Sequence, residues 1–158
     1  ALGYRLVGLA ARALGGSALA ETARPTVTAL RDVTGESAQL WLPDGEWRVC
    51  LLSVEATHEL RTIVDEGSRV AIDVGSGGRA LQGEAGTAGW VATVGERADG
   101  VGSVSAGVLG PSGSVVAAVG ISGPIDRLGD DPGARFGGDV VAAANELSEA
   151  LGVPPRHG

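Results

Sequence analysis

Residues Val101–Pro124 read VGSVSAGVLGPSGSVVAAVGISGP. Small and apolar residues alternate up to the turn triplet Pro111-Ser112-Gly113 and resume from Val115 to Ile121, which is the pattern of a β-hairpin. Val115, Val119 and Ile121 are expected to fill a core. Ser103, Ser105, Gly107, Gly120 and Ser122 make a second face with hydroxyls and little bulk. Such a face either leaves room for a ligand or lets a helix pack close to the sheet, and the local sequence leaves both open.

Working outward, Glu36 to Leu42 alternates Ala38, Leu40 and Leu42 against Ser37, Gln39 and Trp41. Pro43-Asp44-Gly45 turns the chain into a second strand, Trp47 to Val54. Further strands are expected over Glu59 to Asp65, Val70 to Asp73 and Trp90 to Val94. A short helix is expected around Arg79-Ala80-Leu81, with Gly83 to Gly89 as loop. Leu2, Leu6, Leu9, Ala10, Ala13 and Leu14 predict an amphipathic first helix that Gly15-Gly16 ends. Ala18 to Val33 predicts a second, which tolerates Pro25 and closes at Thr34-Gly35. After a loop over Leu128 to Pro132, Phe136 to Leu151 predicts a last helix with Val140, Ala143, Ala144, Leu147 and Leu151 inward. Helices at the two ends with antiparallel hairpins between them describe an α+β domain, one sheet with terminal helices on one face and a pocket on the other. Residues 1–152 are expected to form that domain and 153–158 a flexible tail.

The 158 residues suffice for one core, and no run of eighteen apolar residues exists to span a bilayer. The start Ala1-Leu2-Gly3 has neither Met nor the order of a signal peptide, so the chain is expected to be an excised piece with its N-terminal neighbour missing. One cysteine, Cys50, excludes an internal disulfide framework and fits a reducing cytoplasm. The net charge of −7, with twelve arginines spread along the chain, leaves no basic run for phosphate neutralisation. Any contact with DNA is therefore expected from another domain.

Two constellations could hold a ligand. Asp73-Val74-Gly75-Ser76-Gly77-Gly78 precedes a helix and could present free N–H groups to an anion. It lacks the Lys-Ser/Thr ending of a nucleotide loop, so a single carboxylate fits better than a phosphate, with an ordinary capped loop as the plain alternative. Trp41 points away from the core side of its strand, as a pocket rim, an interface, or a contact of the terminal helices. His58 sits beside Glu55 and Glu59 at a strand end and His157 in the tail, so no metal site is assembled. No nucleophile stands with a base, and no cofactor or enzymatic activity is expected.

Six motifs then fall in a recognisable order: Tyr4-Arg5-Leu6, LRDVTGE over Leu30–Glu36, Asp44-Gly45, Gly78-Arg79-Ala80-Leu81, Gly95-Glu96-Arg97 with Gly100-Val101, and Ile121-Ser122-Gly123-Pro124. Together they resemble the C-terminal effector-binding domain of IclR-type transcriptional regulators. The resemblance implies a GAF-like fold with an antiparallel sheet and a winged helix-turn-helix on the N-terminal side that this chain lacks. It further implies a cytoplasmic homo-oligomer, dimer or tetramer, that senses a small carboxylate or aromatic metabolite. The effector site carried over from it comprises Ser76, Gly77, Thr93, Ser103, Gly120 and Ser122. The chain departs from the pattern at Asp73, where a His is usual, at Arg79 for Lys, and in the brevity of Gln82 to Gly89, which is expected to leave the pocket open on one side. A domain that only dimerises is the alternative function.

Overall fold

The computed structural model describes residues 16–152. The expected first helix and the tail lie outside the described residues. Helix α1 (Gly16–Thr34) buries Ala23, Val27 and Leu30 along one stripe, and Pro25 falls on its exposed side, where water meets the carbonyl its missing N–H leaves free. The helix stops where Gly35 takes φ 77° and donates its N–H to the Arg31 carbonyl at 2.8 Å, while Thr34 Oγ1 donates to the Leu30 carbonyl.

The strands are β1 (Ser37–Asp44), β2 (Trp47–Val54), β3 (Arg69–Ala71), β4 (Val91–Val94), β5 (Val101–Leu109) and β6 (Val115–Pro124). They form one sheet in the order β3-β2-β1-β6-β5-β4, antiparallel throughout, so the β1–β2 and β5–β6 hairpins lie side by side. One face meets α1 and the last helix over a core that includes Leu40, Leu52, Val104, Val119, Ile121 and Val140. The other face carries the short helix α2 (Gly75–Leu81) above a smaller cluster of Trp41, Cys50, Val64, Ala80, Leu81 and Ala118. The α+β class and the two hairpins are thus as the residue pattern predicts.

Two bulges set which residues face which side. Leu40 pairs with Leu52 and Trp41 with Cys50, so Leu51 is the extra residue of β2, and Arg48 and Cys50 turn to the α2 side. Likewise Val108 pairs with Ala117 and Leu109 with Val115, which leaves Val116 extra. Val115 therefore packs against the α2 cluster and not, as its parity with Val119 and Ile121 predicts, into the main core.

Three further expectations are corrected. Residues Glu59 to Asp65 alternate in burial, with Thr62 and Val64 inside, yet pair with no strand. The segment is pinned from within the sheet, where the Ser37 hydroxyl donates to the Thr62 carbonyl and accepts from the Ala56 N–H. Helix α2 begins at Gly75, four residues before Arg79. A short turn, α3 (Ile125–Leu128), precedes the last helix, α4 (Pro132–Ala150), which starts four residues before Phe136 because Asp131 caps it and Pro132 suits its first position. Gly133 and Gly137 form a notch on α4 in which the Trp90 ring sits; a Cβ at either would lie 2.1 Å or 2.4 Å from that ring.

Candidate functional site

The cleft between α2 and the sheet is built on the small-residue face of the central hairpin. Register sets Ser103 opposite Ser122 and Ser105 opposite Gly120. Ser76, in the first turn of α2, places its hydroxyl 2.7 Å from both Ser103 Oγ and Ser105 Oγ, and Thr93 Oγ1 stands 2.9 Å from Ser103 Oγ. The four hydroxyls form one chain from the β4 edge to the floor of the cleft. On the neighbouring strands Ser122 donates to Gln39 Oε1 at 3.1 Å. Gln39 is 2% exposed and its Nε2 has no partner among the described residues, although a buried amide donor ordinarily finds one.

Arg48 is the second element of the floor. It is 2% exposed, its guanidinium lies over the Trp41 ring at 4.6 Å, and Nη1 donates to the Ala71 carbonyl at 2.9 Å and to the Val74 carbonyl. Nε is buried with no partner among the described residues. Burial, followed by the repulsion of Arg97, pulls the Arg48 pKa down to about 10. Arg97 reaches the cleft from the Gly95–Gly100 turn between β4 and β5, and burial lowers its pKa as well.

The same turn is fastened to α2. Glu96 Oε1 accepts from the Gly75 N–H at 3.1 Å and from Arg79 Nε at 2.8 Å, and the Arg79 hydrogen bond is the main reason its carboxyl pKa falls. The arginine that stands for the usual lysine thus serves as the anchor of this turn.

Of the six residues expected from the sequence, Ser76, Gly77, Ser103 and Ser122 line the cleft. Thr93 touches it through Ser103. Gly120 does not line it: its missing Cβ makes way for Ser105 Oγ and the Val104 carbonyl, 2.2 Å and 2.4 Å from where that atom would lie. Asp73 is exposed and does not border the cleft. None of Gln82 to Gly89 borders the cleft; of the Gly95–Gly100 turn, Arg97 does. The space enclosed is about 20 Å³, opening into about 280 Å³ when the mouth is included.

The sequence did not single out Gln39, Arg48 or Arg97 for the cleft, it put Ser105 on the hydroxyl-bearing face, and Trp41, read as a pocket rim, an interface or a contact of the terminal helices, is a buried part of the floor. One signal was present: Arg48 and Cys50 share a parity in β2, and an arginine on an inward parity requires an unusual environment. Among the described residues no group of three or more His, Cys, Asp or Glu converges to hold a metal ion.

Cys50 lies under α2, 1% exposed, its Sγ 3.4 Å from the Leu52 carbonyl, and burial pushes its pKa from 9.0 up to about 12. A thiol so placed is protonated at neutral pH and a poor nucleophile. A disulfide reagent at pH 8 is expected to leave Cys50 untouched in the folded chain and to label it fully in denaturant; prompt native labelling would overturn this placement. Because the folded pKa lies above the unfolded one, the thiol's contribution to stability is complete below about pH 9 and is lost as pH rises towards 12.

Residues 83–149 match the family model described as bacterial transcriptional regulator IclR C-terminal. The HTH-type transcriptional regulator BhcR of Paracoccus denitrificans is 28% identical over 176 aligned residues, which cover 89% of this chain and 62% of BhcR. Among solved structures, an IclR transcriptional regulator from Silicibacter sp. TM1040 superposes with a TM-score of 0.80 at 17% identity, covering 97% of this chain and 74% of that one. The IclR of Thermotoga maritima gives 0.77 at 18% identity, covering 94% and 74%. An IclR-family regulator from Rhodococcus sp. gives 0.77 at 24% identity, covering 85% and 64%. These structures agree with this chain in fold. The chain spans under two thirds of the curated relative it matches, and among the described residues no helix is long and apolar enough to cross a membrane.

Proposed function

We propose that this chain, which is similar to IclR C-terminal domains, senses a small carboxylate in the cleft beneath α2 and passes the signal to a DNA-binding domain on its N-terminal side. The observation that carries this reading is the set of unpartnered donors on the floor of one cleft: Gln39 Nε2 and Arg48 Nε, both buried, beside the hydroxyl of Ser76. A buried donor without an acceptor costs about 1–3 kcal/mol, which an anion oxygen in the cleft would return. Carboxylate oxygens would accept from these groups and from the Ser76 and Gly77 side of α2, with Ser103 and Ser122 orienting the remainder. Small size favours an aliphatic acid over an aromatic one, since Trp41 is already covered by Arg48.

In this reading residues 1–152 act as one domain in a cytoplasmic, self-associated regulator, and the domain has no catalytic role. An effector that prefers one arrangement of paired domains shifts how they present their DNA-binding heads to operator half-sites. Couplings of this kind are typically about 1–3 kcal/mol, or about 5–150-fold in DNA affinity.

Thermal unfolding against a panel of small aliphatic and aromatic carboxylates tests the proposal. A ligand at 100 times its Kd stabilises by about 2.7 kcal/mol, and the shift is expected to disappear in Ser76→Ala and Ser122→Val. The alternative, a module that only dimerises, rests on the smallness of the enclosed space, about 20 Å³, which holds little more than one water. It predicts indifference to the entire panel.

A further inference from the structure

We propose that the effector of this cleft is a short dicarboxylate, with Arg48 matching one carboxylate and Arg97 the other. The inference rests on the reading of the cleft as a carboxylate sensor and adds the charge of the ligand.

Charge is unbalanced around one small space, which Arg48 and Arg97 both border. Arg48 makes only neutral contacts, to two main-chain carbonyls and the Trp41 ring. Arg97 makes no hydrogen bond or ion pair with any described residue, and the two arginines repel one another. The nearest carboxylate, Glu96, offsets part of the Arg48 charge, but its Oε1 is already engaged by Arg79 and the Gly75 N–H. Asp73 is exposed and does not border the cleft. A domain of net charge −7 with twelve cations thus holds two of them together, partly desolvated, with only a shared part of Glu96 to offset them. Bringing like charges together out of water is unfavourable unless something negative joins them. A monocarboxylate would satisfy one cation and leave the other; a dicarboxylate satisfies both.

The donors sort by depth. Arg48 Nε and Gln39 Nε2 lie on the buried floor, while Arg97 is half-exposed at the mouth. One carboxylate therefore belongs at the floor and the second near the entrance, a few bonds away. The enclosed floor is about 20 Å³, room for the oxygens of one carboxylate at most, so the rest of the acid lies in the open mouth on the Arg97 side.

Calorimetric titration of the 158-residue chain with length-matched pairs, propionate against malonate and butyrate against succinate at fixed ionic strength, tests the assignment. The dicarboxylate is expected to bind about tenfold or more tightly than its partner, the value of one added charge-assisted contact. Arg97→Gln is expected to bring the dicarboxylate down to the monocarboxylate level. Because Arg97 holds nothing in place, this variant should fold, and its Tm without ligand should equal or exceed that of the parent. Equal affinity within the pairs, or a dicarboxylate preference that survives Arg97→Gln, overturns this inference and leaves the carboxylate sensor standing. A response to inorganic phosphate alone, or to none of these anions, overturns both.

Discussion

Arg127→Ala is expected to cost about 3 kcal/mol or more of folding stability, the lower part of the range for stripping the partner from a buried charge. Glu36 is 2% exposed and receives three hydrogen bonds from Arg127, the shortest from Nη2 at 2.6 Å. Arg127 also donates to the Leu60 carbonyl, so one guanidinium joins the end of α1, the irregular 55–68 segment and the α3 turn. Gly123 is shaped to this pair, since a Cβ there would lie 2.7 Å from Glu36 Oε2. Truncation leaves the carboxylate buried with no cation, and for a chain of this size the loss is about 6–12 °C in Tm. The double variant Glu36→Leu with Arg127→Leu is expected to recover much of it, because an apolar pair of similar volume avoids the desolvation cost. A loss in Arg127→Ala below about 1 kcal/mol, or a double variant no better than the single, would show that water reaches Glu36.

That ion pair explains why part of the molecule was legible in the chain. LRDVTGE encodes a helix end and its attachment: Thr34 and Gly35 close α1, Arg31 Nη1 donates to the Glu55 carbonyl, and Glu36 waits for an arginine 91 residues away. The alternation of Ser37, Gln39 and Trp41 against Ala38, Leu40 and Leu42 likewise reports two faces correctly, because β1 lies in the middle of the sheet and both sides are covered. The site was half legible for a physical reason. Hydroxyls on the β5–β6 face show in the local pattern, since a strand of period two displays its own sides. Arg48 shows there only as an arginine on the parity of Cys50, its face being set by the bulge at Leu51, and Arg97 does not show, because it depends on a turn folding back across α2. Gly120 entered the expected site through the family resemblance, and the atoms nearest its missing Cβ belong to the adjacent strand.

Gly78→Ala is the sharper test of how the cleft is roofed, because two principles give opposite signs. Helix propensity alone predicts that alanine in α2 stabilises by about 1 kcal/mol over glycine. The packing predicts the reverse: a Cβ at Gly78 would lie 1.9 Å from the Ile72 carbonyl oxygen and 2.6 Å from Arg48 Nη1. The first of these is main chain, held by the Ile72 N–H to the Glu46 carbonyl, and cannot step aside as a flexible side chain would. Relief requires α2 to lift, which breaks the Arg48 contacts with Ala71 and Val74 and exposes Trp41. A net loss of about 3 kcal/mol or more is therefore expected, in the range of the severest single substitutions, together with a red shift in tryptophan emission. Gly77→Ala supplies the comparison within the same turn. Its Cβ would meet the Trp41 ring at 3.1 Å, a contact a small ring movement relieves, so propensity and crowding nearly cancel and the change should stay within about 1 kcal/mol of the parent. Stabilisation by both substitutions, measured by urea unfolding, would mean that α2 sits farther from the sheet than its glycines allow, and that the floor formed by Gln39 and Arg48 is open to water.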